Sequence, residues 1–280
     1  MKFLIAEYAE KRENALKKLL RRMGIVRSFE LYDTEILQTE GLIMTLPFLE
    51  EETENYDYCV EMTKKALGFA RKECGDFVYT LPTEMKAMGG CSGVETSALV
   101  LWEQFVVLVK NKDLKTAKTA VMGYDVKTVR TVMEGIYDGL NSLVVLAPAD
   151  KNLTERAKEI YEETGLDIIF IRNVKSPLFM DADIIINCGM DLGGGYNSVK
   201  KDAVYISLKG QDVVAQERKD VDFIALDRIK VIDDELKSGE LEAILSAGSY
   251  GYRNFLSSRY YEDKAKRAFL ALKDVLRPEG

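Results

Sequence analysis

With no histidine among its 280 residues, the chain can do acid–base chemistry only through Lys, Asp, Glu, Tyr and Cys. That absence removes Ser-His-Asp and Cys-His nucleophile systems, His-ligated metal centres and His proton relays together, and no metal site is expected. Backbone chemistry is better supplied. Three glycine-bearing loops offer N–H groups that can meet a carboxylate or phosphate without side-chain interference. They are Met88–Gly93 (MGGCSG), Gly123–Thr128 (GYDVKT) and Gly189–Asn197 (GMDLGGGYN). Behind the first loop a helix is expected, with Ser92, Glu95 and Thr96 at its first turn as candidate ligand contacts; Ser92 and Glu95 equally fit a capping box at a hinge. Lys86, just before that loop, is the candidate acid–base lysine, against the plainer reading of a solvated loop lysine. In the third loop, Gly193 and Asn197 are candidate contacts, and its run of three glycines suits close backbone approach, a moving lid or simple flexibility.

Two alternating series of apolar runs and amphipathic segments must position these loops. In the first, Lys2–Glu7, Val26–Leu31, Gly41–Leu46 and Phe77–Leu81 read as strands. Helices are expected around Ala15–Met23 and from about Tyr56 to Cys74, closed by Gly75. A long apolar helix, Val94 to about Asn111, carries the single tryptophan, Trp102. The second series gives strands at Thr119–Gly123, Ser142–Leu146, Asp167–Ile171, Asp183–Cys188, Ala203–Leu208 and Asp222–Leu226. Its helices are expected at Val126–Tyr137 and Leu153–Thr164. These runs lack polar alternation, as strands covered on both faces do. From about Asp233 the pattern turns helical, through Glu235–Ser246 and Tyr260–Leu276. The expected architecture is α/β: a smaller α/β domain at 1–93, then at 94–254 a bridging helix and a mostly parallel sheet, with a C-terminal helix (255–280) packing back on the first domain.

This order of elements, strongest over residues 90–230, resembles the two-domain Rossmann dehydrogenases: shikimate dehydrogenase, dipicolinate synthase and the ornithine cyclodeaminase group. Asp181–Gly189 (DADIIINCG) looks like the fourth-strand segment of such domains, after which the chain passes close to the nicotinamide. The resemblance implies NAD or NADP as cofactor, bound near Gly123, Tyr124, Asp125, Asp150 and Gly189. It also implies a small polar substrate in an interdomain cleft, touched by both outer glycine loops. The nucleotide loop departs from the G-x-G-x-x-G fingerprint, which brings backbone against a pyrophosphate at a helix N-terminus. Only Gly123 matches, and Asp125 holds the second glycine position. Asp125 suits an N-cap, filling the anion site with the protein's own carboxylate; the opposing reading has Lys127 or Arg130 offset it so that phosphate still binds. Asp150 comes about three residues late for a ribose contact. Lys151 beside it could suit a 2′-phosphate, and both also read as loop residues ahead of a helix opened by Asn152.

Three functions stay open on these residues. The first is a dehydrogenase-like protein binding a small polar metabolite, with non-standard or lost dinucleotide binding. The others are a non-catalytic binding or scaffold descendant and an S-adenosylmethionine-binding enzyme on the same fold. Composition narrows the setting. Lys and Arg number 39 against 46 Asp and Glu, a net charge of −7, which gives no electrostatic reason to expect nucleic acid. Cys59, Cys74, Cys91 and Cys188 form no CxxC pair and read as reduced thiols; Cys188 ends a buried strand and reads as core. The run Phe3–Ala6 is too short for a signal core, and Ala98–Val109, interrupted by Glu103-Gln104, falls far short of the ~20 residues a bilayer needs. A soluble, cytoplasmic protein without a membrane partner is expected. The tyrosines and arginines of Tyr250–Tyr261 suit an interface or a cleft lining, and a homodimer stays open beside the small-molecule ligand.

Overall fold

The computed structural model describes residues 1–10, 29–36, 39–210, 212–226, 228–231, 234–248 and 277–278. The chain divides into two units, Met1–Ser92 with Gly239–Arg253, and Gly93–Ser238 with Asn254–Gly280. Together they make a Rossmann-like α/β protein with parallel sheets and helices.

In the first unit β1 (Lys2–Glu7) lies between β3 (Thr39–Thr45) and β4 (Phe77–Thr80), parallel to both. The sheet is not wholly parallel as the alternation implied: β2 (Glu30–Ile36) pairs antiparallel with β3 at its edge. The expected Val26–Leu31 strand overlaps β2 only at Glu30 and Leu31. The reason is physical. β2 reads ELYDTEI and is largely solvent-facing, so it offers no apolar run. Only two residues separate it from β3, too few for a parallel crossover. Helix α1 (Tyr56–Cys74) buries Cys59, Thr63, Ala66, Leu67 and Ala70, one face at helical spacing. That face joins Leu4, Leu42, Met44, Leu46 and Phe48 in the core. Gly75 ends the helix at φ +79°, a conformation that favours glycine. Helix α7 (Ser238–Ala247) completes the described part.

The second unit opens with α2 (Val94–Leu108), shorter than expected because Val109–Asn111 leave the helix in a turn. Strands β5 (Thr119–Met122), β6 (Leu143–Leu146), β7 (Ile168–Ile171), β8 (Ile184–Asn187), β9 (Val204–Ser207) and β10 (Asp222–Ala225) form one all-parallel sheet in the order β10-β9-β8-β5-β6-β7. Counted from β5 this is 3-2-1-4-5-6, so the chain reverses direction across the sheet between β5 and β8. Every residue of β5, β6, β8 and β9 is buried. Helices α3 (Val126–Ile136), α4 (Lys151–Thr164), α5 (Pro177–Met180) and α6 (Val213–Glu217) make the connections. At the amino ends of the strands, Lys118 N–H donates to Asp183 (3.0 Å) and Lys200 Nζ donates to the same carboxylate (2.7 Å).

Beyond the sheet, β11 (Arg228–Val231) pairs antiparallel with β12 (Asp234–Lys237) and β13 (Arg277–Pro278). The helix expected from Glu235 therefore begins only at Ser238. Asp234–Lys237 is bound into a ladder whose partner, Arg228–Val231, is too charged to read as a strand. Of the expected C-terminal helix, Arg277–Pro278 is strand instead; proline has no N–H for a helix interior. The rest of that helix, the segment Ala15–Met23 and the cluster Tyr250–Tyr261 lie outside the described residues. Among the described residues no helix is long and apolar enough to cross a membrane.

A buried ion pair ties α3 to α4. Arg156 Nε donates to Glu134 Oε1 at 2.8 Å, with both side chains 3% exposed, and Arg156 Nη1 reaches Glu159 and Glu163 at 3.1 Å each. The guanidinium also lies 5.8 Å from the Tyr137 ring centre. Removing Arg156 leaves the buried Glu134 carboxylate with the more distant Arg130 at 3.5 Å, and a buried charge that loses its close partner is costly. Arg156→Met is expected to lower unfolding free energy by about 3 kcal/mol, and Glu134→Met/Arg156→Met to recover most of that, as read by urea denaturation.

Candidate site at the carboxyl edge of the six-stranded sheet

Ligands of open α/β sheets bind outside the carboxyl ends of the strands where strand order reverses. Here the reversal lies between β5 and β8, which end in Met122-Gly123 and Asn187-Cys188-Gly189. Gly123 is buried, and its N–H donates to the Leu146 carbonyl at 3.0 Å. A Cβ there would fall 2.7 Å from Val129 Cγ2 and 2.8 Å from Cys188 Cβ. Close packing of β5 against α3 and the end of β8 thus requires this glycine, whatever else it meets.

Asp125 stands in extended backbone as the N-cap of α3, the role its position suggests. Its Oδ2 accepts from Thr128 N (2.9 Å) and from the Thr128 hydroxyl (2.5 Å). The two departures from the glycine fingerprint are therefore one feature: the residues at its second and third glycine positions bind each other. A pyrophosphate in the ordinary pose would meet a carboxylate where it needs an N–H, so the residues present do not fit a dinucleotide held that way. Arg130 is directed to Glu134 (3.5 Å), while Lys127 and Tyr124 are exposed, Tyr124 at 63%.

The second turn repeats the device. Asp150 caps α4, Oδ1 accepting from Leu153 N at 2.8 Å, and its carbonyl accepts from Thr154 N at 3.1 Å. The helix thus opens at Lys151, two residues ahead of the expected Leu153, because Asp150 supplies the cap in place of Asn152. Lys151 is paired with Glu155 at 3.5 Å on the surface.

Sequence reasoning missed the polar network on the other side of the reversal point. Asn187, 2% exposed, accepts from Met190 N at Oδ1 (2.7 Å). Its Nδ2 donates to the Met190 carbonyl (2.9 Å), Tyr205 Oη (2.9 Å) and Asp212 Oδ2 (3.2 Å). Asp212 Oδ1 in turn caps α6 through Val214 N at 2.9 Å. The network fixes Cys188–Met190 against the loop that leads into α6. Ser207, opposite Asn187 in the β8–β9 register, has a buried hydroxyl with no hydrogen-bond partner among the described residues. Burial, then the charge of Asp212, pushes the Tyr205 phenol well above its ordinary value. Burial, then Asp125, does the same to the Cys188 thiol, which sits in the core as expected. The only signal for the network was an asparagine closing an otherwise apolar strand.

The remaining candidates divide between the two units. Gly189 adopts φ +91° and has room for ordinary contact with Val94. Gly193–Ser198 is a turn of 3-10 helix in which Gly193 N donates to Asp191 (2.9 Å) and Gly195 lies against Val174. Met190, Leu192 and Tyr196 pack on the core, and Arg218 Nη1 donates to the Tyr196 and Val199 carbonyls (2.9 and 2.6 Å). This loop is anchored along its length, with Asn197 exposed. In the first unit Gly89–Cys91 lies along β4. Cys91 N donates to the Tyr79 carbonyl at 2.7 Å, and a Cβ on Gly90 would fall 2.7 Å from that same oxygen. Lys86 belongs to the 3-10 turn Thr83–Met88 and Ser92 to the end of this unit. Glu95 and Thr96 belong to α2 of the second unit, Thr96 fully buried. Among the described residues no group of three or more Cys, Asp or Glu could hold a metal ion.

Two outcomes are expected. Asp125→Ala should cost about 1 kcal/mol in urea unfolding and Asp125→Gly only a few tenths, because glycine is itself a tolerated N-cap. Because folding raises the Cys188 and Tyr205 values, their stabilising share is complete below the unfolded values of 9.0 and 10.0 and is lost as pH rises beyond them. The urea midpoint should therefore fall above pH 9.0, less steeply in Tyr205→Phe.

No protein-family model matches the chain, and no curated protein matches it. Among solved structures it is similar to aspartate transcarbamoylase from Trypanosoma cruzi bound to carbamoyl aspartate and phosphate. That match has 10% identity and a TM-score of 0.36, over 79% of this chain and 77% of that one. It is also similar to L-tryptophan dehydrogenase from Nostoc punctiforme, at 14% identity and a TM-score of 0.38 over 98% of this chain and 80% of that one. Matches at this distance place the chain in no family and assign it no activity.

Proposed function

We propose that the second unit binds a small polar metabolite over the carboxyl ends of β5 and β8, without a dinucleotide pyrophosphate seated on α3. One observation carries the reading: at the reversal point of a 3-2-1-4-5-6 sheet, the Asp125 carboxylate occupies the N-terminus where a phosphate would bind. A dehydrogenase-like hydride transfer would need its nicotinamide held in some other pose. S-adenosylmethionine carries no phosphate, so the cap does not count against it.

The non-catalytic reading is favoured by a separate observation. The two side chains at this edge with shifted acidities, Cys188 and Tyr205, are both driven away from neutrality, whereas acid–base catalysis wants groups poised near the working pH. Binding without chemistry is the simpler use of such an edge.

A thermal-shift panel of NAD, NADP, S-adenosylmethionine and common amino and keto acids tests the reading. A ligand at 100 times its Kd adds about 2.7 kcal/mol to stability. The expected result is stabilisation by a phosphate-free compound, none by NAD or NADP, and a new response to NAD or NADP in Asp125→Gly. Stabilisation of the unmodified protein by NAD or NADP, with the backbone amides of Val126–Thr128 shifting on binding, would overturn it.

A further inference from the structure

Ser207 closes β9 at the carboxyl edge of the six-stranded sheet. It is fully buried, and its hydroxyl meets no hydrogen-bond partner among the described residues. A hydroxyl so placed costs free energy that a partner from outside the chain can recover. Side chains alternate along a strand, so Ser207 shares a face with Tyr205. Asn187, its register partner on β8, reaches the Tyr205 hydroxyl on that same face at 2.9 Å. Met122, Asn187, Ser207 and Ala225 thus form one row across the ends of four strands. The row is open on its β10 side, where Ala225 is exposed. The other hydroxyl of this kind, on Thr119, lies at the opposite, amino end of β5.

A neighbouring carboxylate sets the charge of the missing partner. Asp212 is half-buried and is answered by neutral donors, Val214 N at 2.9 Å and Asn187 Nδ2 at 3.2 Å. Among the described residues no cationic side chain pairs with it. Glu134 and Asp183, by contrast, are paired with Arg156 and Lys200. A half-buried carboxylate without a counter-charge repels a second anion and attracts a cation. An ammonium group has three N–H donors and no acceptor, which suits a carboxylate oxygen and a hydroxyl oxygen together.

We infer that the metabolite bound at this edge carries a primary ammonium group, held by the Asp212 carboxylate and the Ser207 hydroxyl. The inference rests on the reading of the second unit as a metabolite-binding edge, and it names the chemical class of the ligand. The ammonium enters over Ala225, and the body of the ligand stays outside the row. Amino acids and S-adenosylmethionine carry such a group; keto acids, NAD and NADP carry none.

The test is calorimetric titration of the unmodified chain with matched compounds. Each amino acid of the panel is set beside its keto acid, and S-adenosylmethionine beside methylthioadenosine. An amine should bind, and its amine-free counterpart should bind at least about tenfold more weakly. Ser207→Ala should weaken the amine by about tenfold or more. It should leave the urea midpoint of the free protein unchanged or raised, because the hydroxyl removed has no partner. Asp212→Asn keeps a side chain suited to the cap and should also weaken the amine by about tenfold or more. Far-ultraviolet circular dichroism checks that each variant keeps its fold. A keto acid or methylthioadenosine binding as tightly as its amine would overturn the inference and leave the metabolite reading standing. Amine binding indifferent to both substitutions would do the same, as would an equal response to potassium chloride, the mark of a bare cation. Silence across the whole panel would overturn the inference together with the reading beneath it.

Discussion

The first turn of a helix holds N–H groups with no partner inside the helix and a concentration of partial positive charge. In α3 a carboxylate three residues past the end of β5 answers them: Asp125 takes both the amide and the hydroxyl of Thr128. What the edge of the sheet can do follows from that contact. The same position in a dinucleotide-binding loop is left to glycine so that a phosphate can answer the helix instead. Two further helices at this edge, α4 and α6, are also closed by aspartates of the chain, Asp150 and Asp212. The protein supplies its own anions at all three.

Around this edge the sheet is held rigidly. The strands at its centre are buried on both faces, the Arg156–Glu134 pair couples α3 to α4, and Asn187 knits the end of β8 to Tyr205 and Asp212. Glycines here serve close packing. Gly123 admits Val129 and Cys188, Gly195 admits Val174, and in the first unit Gly90 admits the Tyr79 carbonyl. Loops that read as lids or hinges are fastened by specific hydrogen bonds, such as those from Arg218 to the Tyr196 and Val199 carbonyls. A ligand arriving at this edge would meet a preformed surface, which lowers the ordering cost of binding.

Much of the second unit was legible because doubly covered strands announce themselves as apolar runs. SLVVL, DIIINC and AVYISL have no other comfortable fate in a soluble fold. The Asp125 cap was legible for a similar reason, since the signal is local: one acceptor ahead of an amphipathic run. Strands rich in charge were not. β2 reads ELYDTEI and β11 reads RIKV, so they hide among charged residues and take their place from a neighbouring strand. The Asn187–Tyr205–Asp212 network was hidden for another reason, being set by sheet register across 25 residues of sequence. The tie between Asp125 and Thr128 sat within six residues, yet shows only when the glycine positions are considered as a pair.

The central claim is that the N-terminus of α3 is already occupied by the chain itself. Its most direct test is a titration of the unmodified protein with inorganic pyrophosphate, followed at the backbone amides of Gly123–Thr128 by nuclear magnetic resonance. The account expects the Val126, Lys127 and Thr128 amides to stay in place, and to move saturably once Asp125 is replaced by glycine. Saturable movement of those three amides in the unmodified protein would contradict it.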